Sequence, residues 1–164
     1  MARQPRLYQS LHQLLHHTRV ASLGTLGDDG APMVSMVPFA IASPLSALVL
    51  HVSALAAHTG NMARHDAVSL LVMQPEVATE PVHALPRVTL LGHAETVLGD
   101  DTRRHAARVA YLARFPEAEP MTQLGDFQWV LVHVEQARQV AGFGAARSVG
   151  AAELLQVIRS DASR

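Results

Sequence analysis

The stretch that most restricts the fold is residues 19–41, RVASLGTLGDDGAPMVSMVPFAI, in which two apolar runs are joined by four turn-forming residues, GDDG. Gly and Asp tolerate positive φ, and so short a connection joins antiparallel neighbours; a parallel partner needs a crossover of about a dozen residues or more. The same rhythm continues along the chain. SPLS at 43–46 is a second turn signal, SALVLHVS at 46–53 a third run and AVSLLVMQ at 67–74 a fourth. RVTLLGHAETVL at 87–98 is a long fifth run, with Val88, Leu90, Ala94 and Leu98 on one face if Gly92 marks a bulge or a close approach. FQWVLVHVEQARQVAGFG at 127–144 supplies two more runs, expected to bend or break near 135–137. Seven short strands with few βαβ alternations predict an α+β, mainly β fold, an antiparallel sheet closed into a barrel with flanking helices.

Helical signals sit between and around these runs. Pro5 suits a first helical turn, and Leu7, Leu11, Leu14 and Leu15 recur at the spacing of one helical face. Residues 54–65, ALAAHTGNMARH, favour a short helix that Gly60 weakens. Asp100 or Asp101 can cap a helix running to Phe115, with Ala106, Val109, Ala110 and Leu112 expected along its buried side. AAELLQVIRS at 151–160 reads as a last helix, followed by a short polar end expected to fray. The proline-punctuated segment 75–86 has no usable period and reads as a long loop.

The 164 residues fit one domain, 1–164. A formal charge of −1 leaves no basic excess to neutralise a polyphosphate, which excludes nucleic acid as an expected partner. No apolar run approaches the ~20 residues of a membrane span, and the N-terminus lacks the apolar centre of a signal peptide, so the expectation is a cytoplasmic protein. The absence of Cys removes disulfides, thiolate nucleophiles and Cys-based metal sites. An apolar fraction of 49% in a chain this size predicts leftover apolar surface, and residues 88–98 and 129–134 are candidates to be covered by a partner subunit.

Ten His residues make metal binding the first chemistry to weigh. His12 and His16, four apart, would share a helical face, but no acidic ligand lies nearby in sequence, and His51, His93 and His133 alternate with apolar residues in strands. HExxH, GxSxG, GxGxxG and GxxxxGK[ST] are all missing, and no metal site or catalytic residue is assigned. What remains is a distributed set of small donors at strand ends, Ser35, Ser53, Thr59, Asn61 and Ser69, with Arg64 and Arg87 as cations. Such a set suits a phosphate monoester, which takes several N–H and O–H donors and one or two positive charges.

The order of segments ASLGTLGDDGAPMVSMVPFAI, LVLHVSALAAHTGNMARHDAVSLLV, PRVTLLGHAETV and YLARFPEAEPMTQLGDFQWVLVHVEQARQVAGFG resembles the pyridoxamine 5′-phosphate oxidase-like FMN-binding split-barrel proteins, and within them the haem-utilisation branch. The resemblance covers roughly residues 15–147, carried by the combination of AxHTxNM, RxTLxGxA and ARFP-acidic-DF segments. It implies a split β-barrel that forms a homodimer with FMN at the subunit interface. By positional matching it implies that Ser35 contacts the phosphate or isoalloxazine, and that Met36 and Val37 supply backbone contacts to the ring edge. Val52 and Ser53 would line the site, His58 and Thr59 would approach the phosphate, and Arg87 would be the cation.

Two departures matter. Many relatives carry Arg or Lys on the helix after the third strand, whereas this chain reads HTGN and offers no cation until Arg64. Losing one charge-assisted partner weakens phosphate binding by ~1.5–3 kcal/mol. Short relatives can also place a haem-ligating His near the C-terminus, and here no His follows His133. The leading expectation is an FMN-dependent oxidoreductase acting on a small molecule. Its alternatives are a haem-binding or haem-utilisation protein, with His58 and His65 as candidate ligands, and a split-barrel binding module without cofactor.

Overall fold

The computed structural model describes residues 3–160; the polar end expected to fray, 161–164, lies outside the described residues. Helix α1 (Arg3–His17) leads into the hairpin of β1 (Val20–Leu26) and β2 (Pro32–Pro38), paired antiparallel from Val20↔Pro38 to Leu26↔Pro32. Gly30, at φ 76°, and the Asp29 carboxylate, which accepts from the Ala31 amide at 3.0 Å, turn the chain between them. A single residue, Phe39, separates β2 from β3 (Ala40–Ala42). Then follow β4 (Ala47–Ser53), α2 (Ala57–Arg64), β5 (Ala67–Met73), β6 (Arg87–Val97), α3 (Arg103–Arg114), β7 (Phe127–Val140), β8 (Ala146–Gly150) and α4 (Ala151–Arg159).

The sheet runs β2-β1-β5-β6-β7-β4-β3, with β8 added to β7, and among the described residues the neighbouring strands pair antiparallel. Because β2 and β3 are nearly one strand, the path returns to where it began. β2 pairs β1 while β3 pairs β4, which closes the sheet as a split barrel. Eight strands among the described residues replace the seven expected. β8 was hidden in a polar stretch, ARSVG, with little strand character, and Phe39 divides the second run in two.

Residues 127–140 form one strand rather than two. The register passes from Leu91↔Gln136 to Gly92↔Val134, so Glu135 is the extra residue of a bulge and the strand bends without breaking. Gly92 makes this possible: a Cβ there would sit 2.0 Å from the His133 carbonyl oxygen.

Two apolar clusters follow from strand alternation. The barrel interior gathers Leu23, Val37, Leu50, Leu70, Leu90 and Val132, and α1 and α4 add Leu11, Leu15, Leu154 and Ile158. Outside, α3 lays Ala107, Tyr111 and Phe115 on Val49, Val97, Trp129 and Leu131. Of the face expected, Ala110 and Leu112 do pack against this cluster, whereas Val109 is 52% exposed, because the aromatic pair Tyr111 and Phe115 sets which side docks. Leu98, expected on one face with Val88, Leu90 and Ala94, is exposed, lying past the end of β6.

His51 lies in the outer cluster, stacked on Trp129 at 4.2 Å between ring centroids and flanked by Phe127 and Tyr111. Its Nδ1 is buried without a hydrogen-bond partner, and burial, with a smaller contribution from Arg104, pushes its pKa down to about 4. Among the described residues no helix is long and apolar enough to cross a membrane.

Two consequences are measurable. Gly92→Ala should lower stability by about 2–4 kcal/mol, seen as a lower urea midpoint, whereas Gly99→Ala, with open space around it, should stay within ~0.5 kcal/mol. His51 is neutral when folded and has an ordinary value of 6.5 when unfolded. Its contribution is therefore complete above pH 6.5 and lost as pH falls, by about 3 kcal/mol at pH 4. Urea unfolding between pH 7 and 4 should show a steeper decline for the native sequence than for His51→Phe.

Candidate functional site

The hydroxyl in the middle of β2 has a partner. Ser35 Oγ lies 2.9 Å from His58 Nδ1, joining β2 to α2 across the end of the barrel. Alternation places Met33, Ser35 and Val37 toward the interior and Val34 and Met36 outward, at 71% and 65% exposure. Burial holds the His58 pKa below its ordinary value, which favours the neutral imidazole.

Helix α2 is tied to its surroundings by the other donors of this cluster. Thr59 Oγ1 donates to the Ser53 carbonyl at 2.6 Å, and Ser53 Oγ donates to Asp126 at 3.3 Å while accepting from the Leu55 amide at 3.2 Å. Buried Asn61 donates to Thr25 Oγ1 at 3.0 Å and accepts from Arg64 at 3.1 Å, and Arg64 pairs with Asp28 in the β1–β2 turn. Arg64 folds back over Gly60, where a Cβ would meet its guanidinium at 3.2 Å. The glycine thus leaves room for the cation that follows it.

Of the residues named from sequence, Ser35, Ser53, His58, Thr59 and Arg64 gather around α2. Val37 and Val52 are buried beneath them, and Met36 faces the opposite side of β2. One chain does not bring Arg87 to this group. It sits at the far end of β6, seven residues from Ala94, whose amide binds the Asp66 carbonyl just beyond α2, and a strand rises about 3.3 Å per residue. Its guanidinium donates to the carbonyls of His83 at 3.4 Å and Leu85 at 2.9 Å, pinning its own loop.

The outward side of β2 opens a different site. Val20 and Ser22 of β1, Met36 of β2, and Leu71 and Met73 of β5 form the floor of a half-open groove of about 950 Å³. Its walls are the end of α1, including Gln13, Leu14 and His17, and the start of the long loop, residues 74–77. Sequence reasoning missed it because β2 looks like a core strand; its exposed apolar alternation was the available signal. Val20, Met36 and Met73 are exposed on this face; of the stretches expected to be covered by a partner, 88–98 leaves Leu91 and Leu98 exposed, whereas Trp129 and Leu131 lie under α3.

The remaining strand histidines face outward as hydrogen-bonding residues. His93 Nδ1 meets Glu135 at 3.1 Å and His133 Nε2 meets Glu95 at 2.7 Å. Hydrogen bonds from Arg103 and His133 hold the Glu95 carboxyl down at about 2. His12 stacks on His16, whose Nε2 bonds the Val157 carbonyl at 3.0 Å. Among the described residues no group of three or more His, Asp or Glu side chains is placed to hold a metal ion.

An antiparallel split barrel capped by helices, with one outer face left open, defines a structural class shared with solved proteins. The heme binding protein from Mycobacterium smegmatis superposes with a TM-score of 0.81 at 30% identity, over 92% of this chain and 60% of that one. The chain matches the pyridoxamine 5′-phosphate oxidase family over residues 7–141, and it belongs to that family. It is 27% identical over 156 residues to heme oxygenase HutZ of Vibrio cholerae, covering 94% of this chain and 88% of that protein. It is 35% identical over 119 residues to the chloroplastic non-canonical heme oxygenase HOZ of Arabidopsis thaliana, which is 72% of this chain but about a third, 34%, of the plant protein.

Asn61→Ala should strand the buried Thr25 hydroxyl and release Arg64 from α2, lowering stability by about 1–3 kcal/mol in urea unfolding. An unchanged midpoint would mean that the cluster does not hold α2 in place.

Proposed function

We propose that this protein binds haem, in the service of haem utilisation, in the groove between β1, β2, β5 and the end of α1, and that it works as a homodimer. The observation that carries this reading is the donor chemistry of the groove. It offers an apolar floor, an imidazole from His17, thioethers from Met36 and Met73, and a guanidinium from Arg19. A porphyrin asks for those features: apolar walls for the ring, a nitrogen or sulfur donor for iron, and a cation for a propionate. A volume of about 950 Å³ falls near the top of the ~300–1,000 Å³ range of small-molecule sites, so size does not exclude a ligand this large.

The flavin reading finds less support. An FMN phosphate needs free donors, and Ser35, Ser53, Thr59 and Arg64 are bonded to protein groups, with Asp126 beside Ser53 and Asp28 beside Arg64. To bind flavin they would have to exchange these partners for a phosphate next to two carboxylates. The names of the relatives, heme oxygenase and heme binding protein, support haem in preference.

Bound haem would supply an iron centre for oxygen or ligand chemistry, which makes haem breakdown the reaction to assay. The chain's own residues would exclude water from one ring face through Leu14, Met36 and Leu71 and hold a propionate through Arg19. That cation pairs with Glu117 only at the surface, at 2.6 Å with both side chains more than half exposed, so it is cheaply redirected. Val20, Val34, Met36, Met73, Val77 and Leu91 are all at least 40% exposed, and a second copy across this face would cover them and close the open side of the groove.

The test is titration with hemin and, separately, with FMN, followed by gel filtration. Hemin should co-elute with a dimer and FMN should not. Leu71→Glu should weaken hemin binding by about tenfold or more, with unchanged circular dichroism. Flavin that co-elutes while hemin does not would overturn the reading.

A further inference from the structure

We infer that His17 supplies the imidazole nitrogen that would hold haem iron in the groove, an assignment that rests on the haem-binding reading above. The histidines named from sequence do not reach this site. His58 is bonded to Ser35 on the interior side of β2, whereas the groove floor is built from the outward side, at Met36. His65 follows α2 and is absent from the groove lining, and the other strand histidines, His51, His93 and His133, are absent from it too. His17 is the one imidazole that lines it.

The backbone that carries His17 is held on two sides. Arg114 donates through Nη2 to the carbonyls of Leu15 at 3.2 Å, His16 at 2.9 Å and Thr18 at 2.5 Å, satisfying acceptors that the end of α1 would otherwise leave open. Its own charge is seated over the Phe39 ring at 4.9 Å. The preceding residue, His16, bonds the Val157 carbonyl of α4. The turn is thereby fixed to the barrel while the His17 side chain stays exposed beside the groove. Fixing the backbone of a ligand residue in advance lowers the ordering cost of binding. Gln13, one helical turn earlier and on the same side of the helix, lines the same groove.

The experiment compares absorption spectra of hemin complexes of the native chain, His17→Ala and His58→Ala, with and without added imidazole. The native complex should show a histidine-ligated Soret band that His58→Ala preserves. His17→Ala should shift that band and weaken hemin binding by about tenfold or more, and free imidazole should restore the native position. A His17→Ala spectrum identical to the native one overturns the assignment and leaves haem binding standing. Loss of the band in His58→Ala alone overturns it in favour of a site on the interior side of β2. No hemin complex with the native chain removes both the assignment and the function it rests on. Because His17 is exposed and outside the core, the alanine variant should keep the native urea midpoint, so a spectral change is separable from misfolding.

Discussion

Closure of the barrel depends on Phe39. This residue has no exposed surface, its amide donates to the Arg19 carbonyl at 3.1 Å, and it stands between a strand that pairs with β1 and one that pairs with β4. Without that continuity the sheet would be an open ribbon with β2 and β3 as free edges, the arrangement most prone to pairing with other chains. Arg114 adds to the same point by stacking on the Phe39 ring while gathering the last carbonyls of α1. Burial lowers its pKa to about 10, which still leaves it charged at neutral pH. One aromatic ring and one cation thus fix where helix, barrel and groove meet.

Much of the fold was legible because antiparallel hairpins write themselves locally. GDDG between apolar runs, Gly92 as a close approach and the four helices all follow from short-range rules. What escaped was decided by distant partners. The buried face of α3 is set by Tyr111 and Phe115 against Trp129, some fifteen residues along the chain, and periodicity in a helix rich in Ala and Arg does not single out that face. β8 forms because β7 offers it an unpaired edge from Gln136 to Val140, and polar residues suffice there.

The sequence pointed to the polar cluster around α2 and not to the groove, of whose lining it named Met36 alone as a site residue. Ser35, His58, Thr59 and Arg64 converge around α2. Ser35 and His58 are bonded to each other, Thr59 to the Ser53 carbonyl and Arg64 to Asp28, partners that lie apart along the sequence. Counting donors in a sequence measures capacity for hydrogen bonding, and a folded chain satisfies most buried capacity internally. A cluster of donors becomes a ligand site only where some are left over.

That criterion separates the two sides of β2. On the interior side every named polar group has a protein partner, and the strand is there a structural element that holds α2 in place. On the outward side the apolar groups of Met36 and Met73 are exposed, and His17 projects at the rim from the end of α1, whose carbonyls Arg114 holds. Burial of apolar area stabilises by about 25 cal/mol per Å², so a surface of this kind favours whatever covers it. The haem-binding proposal rests on this difference between the two sides of the strand.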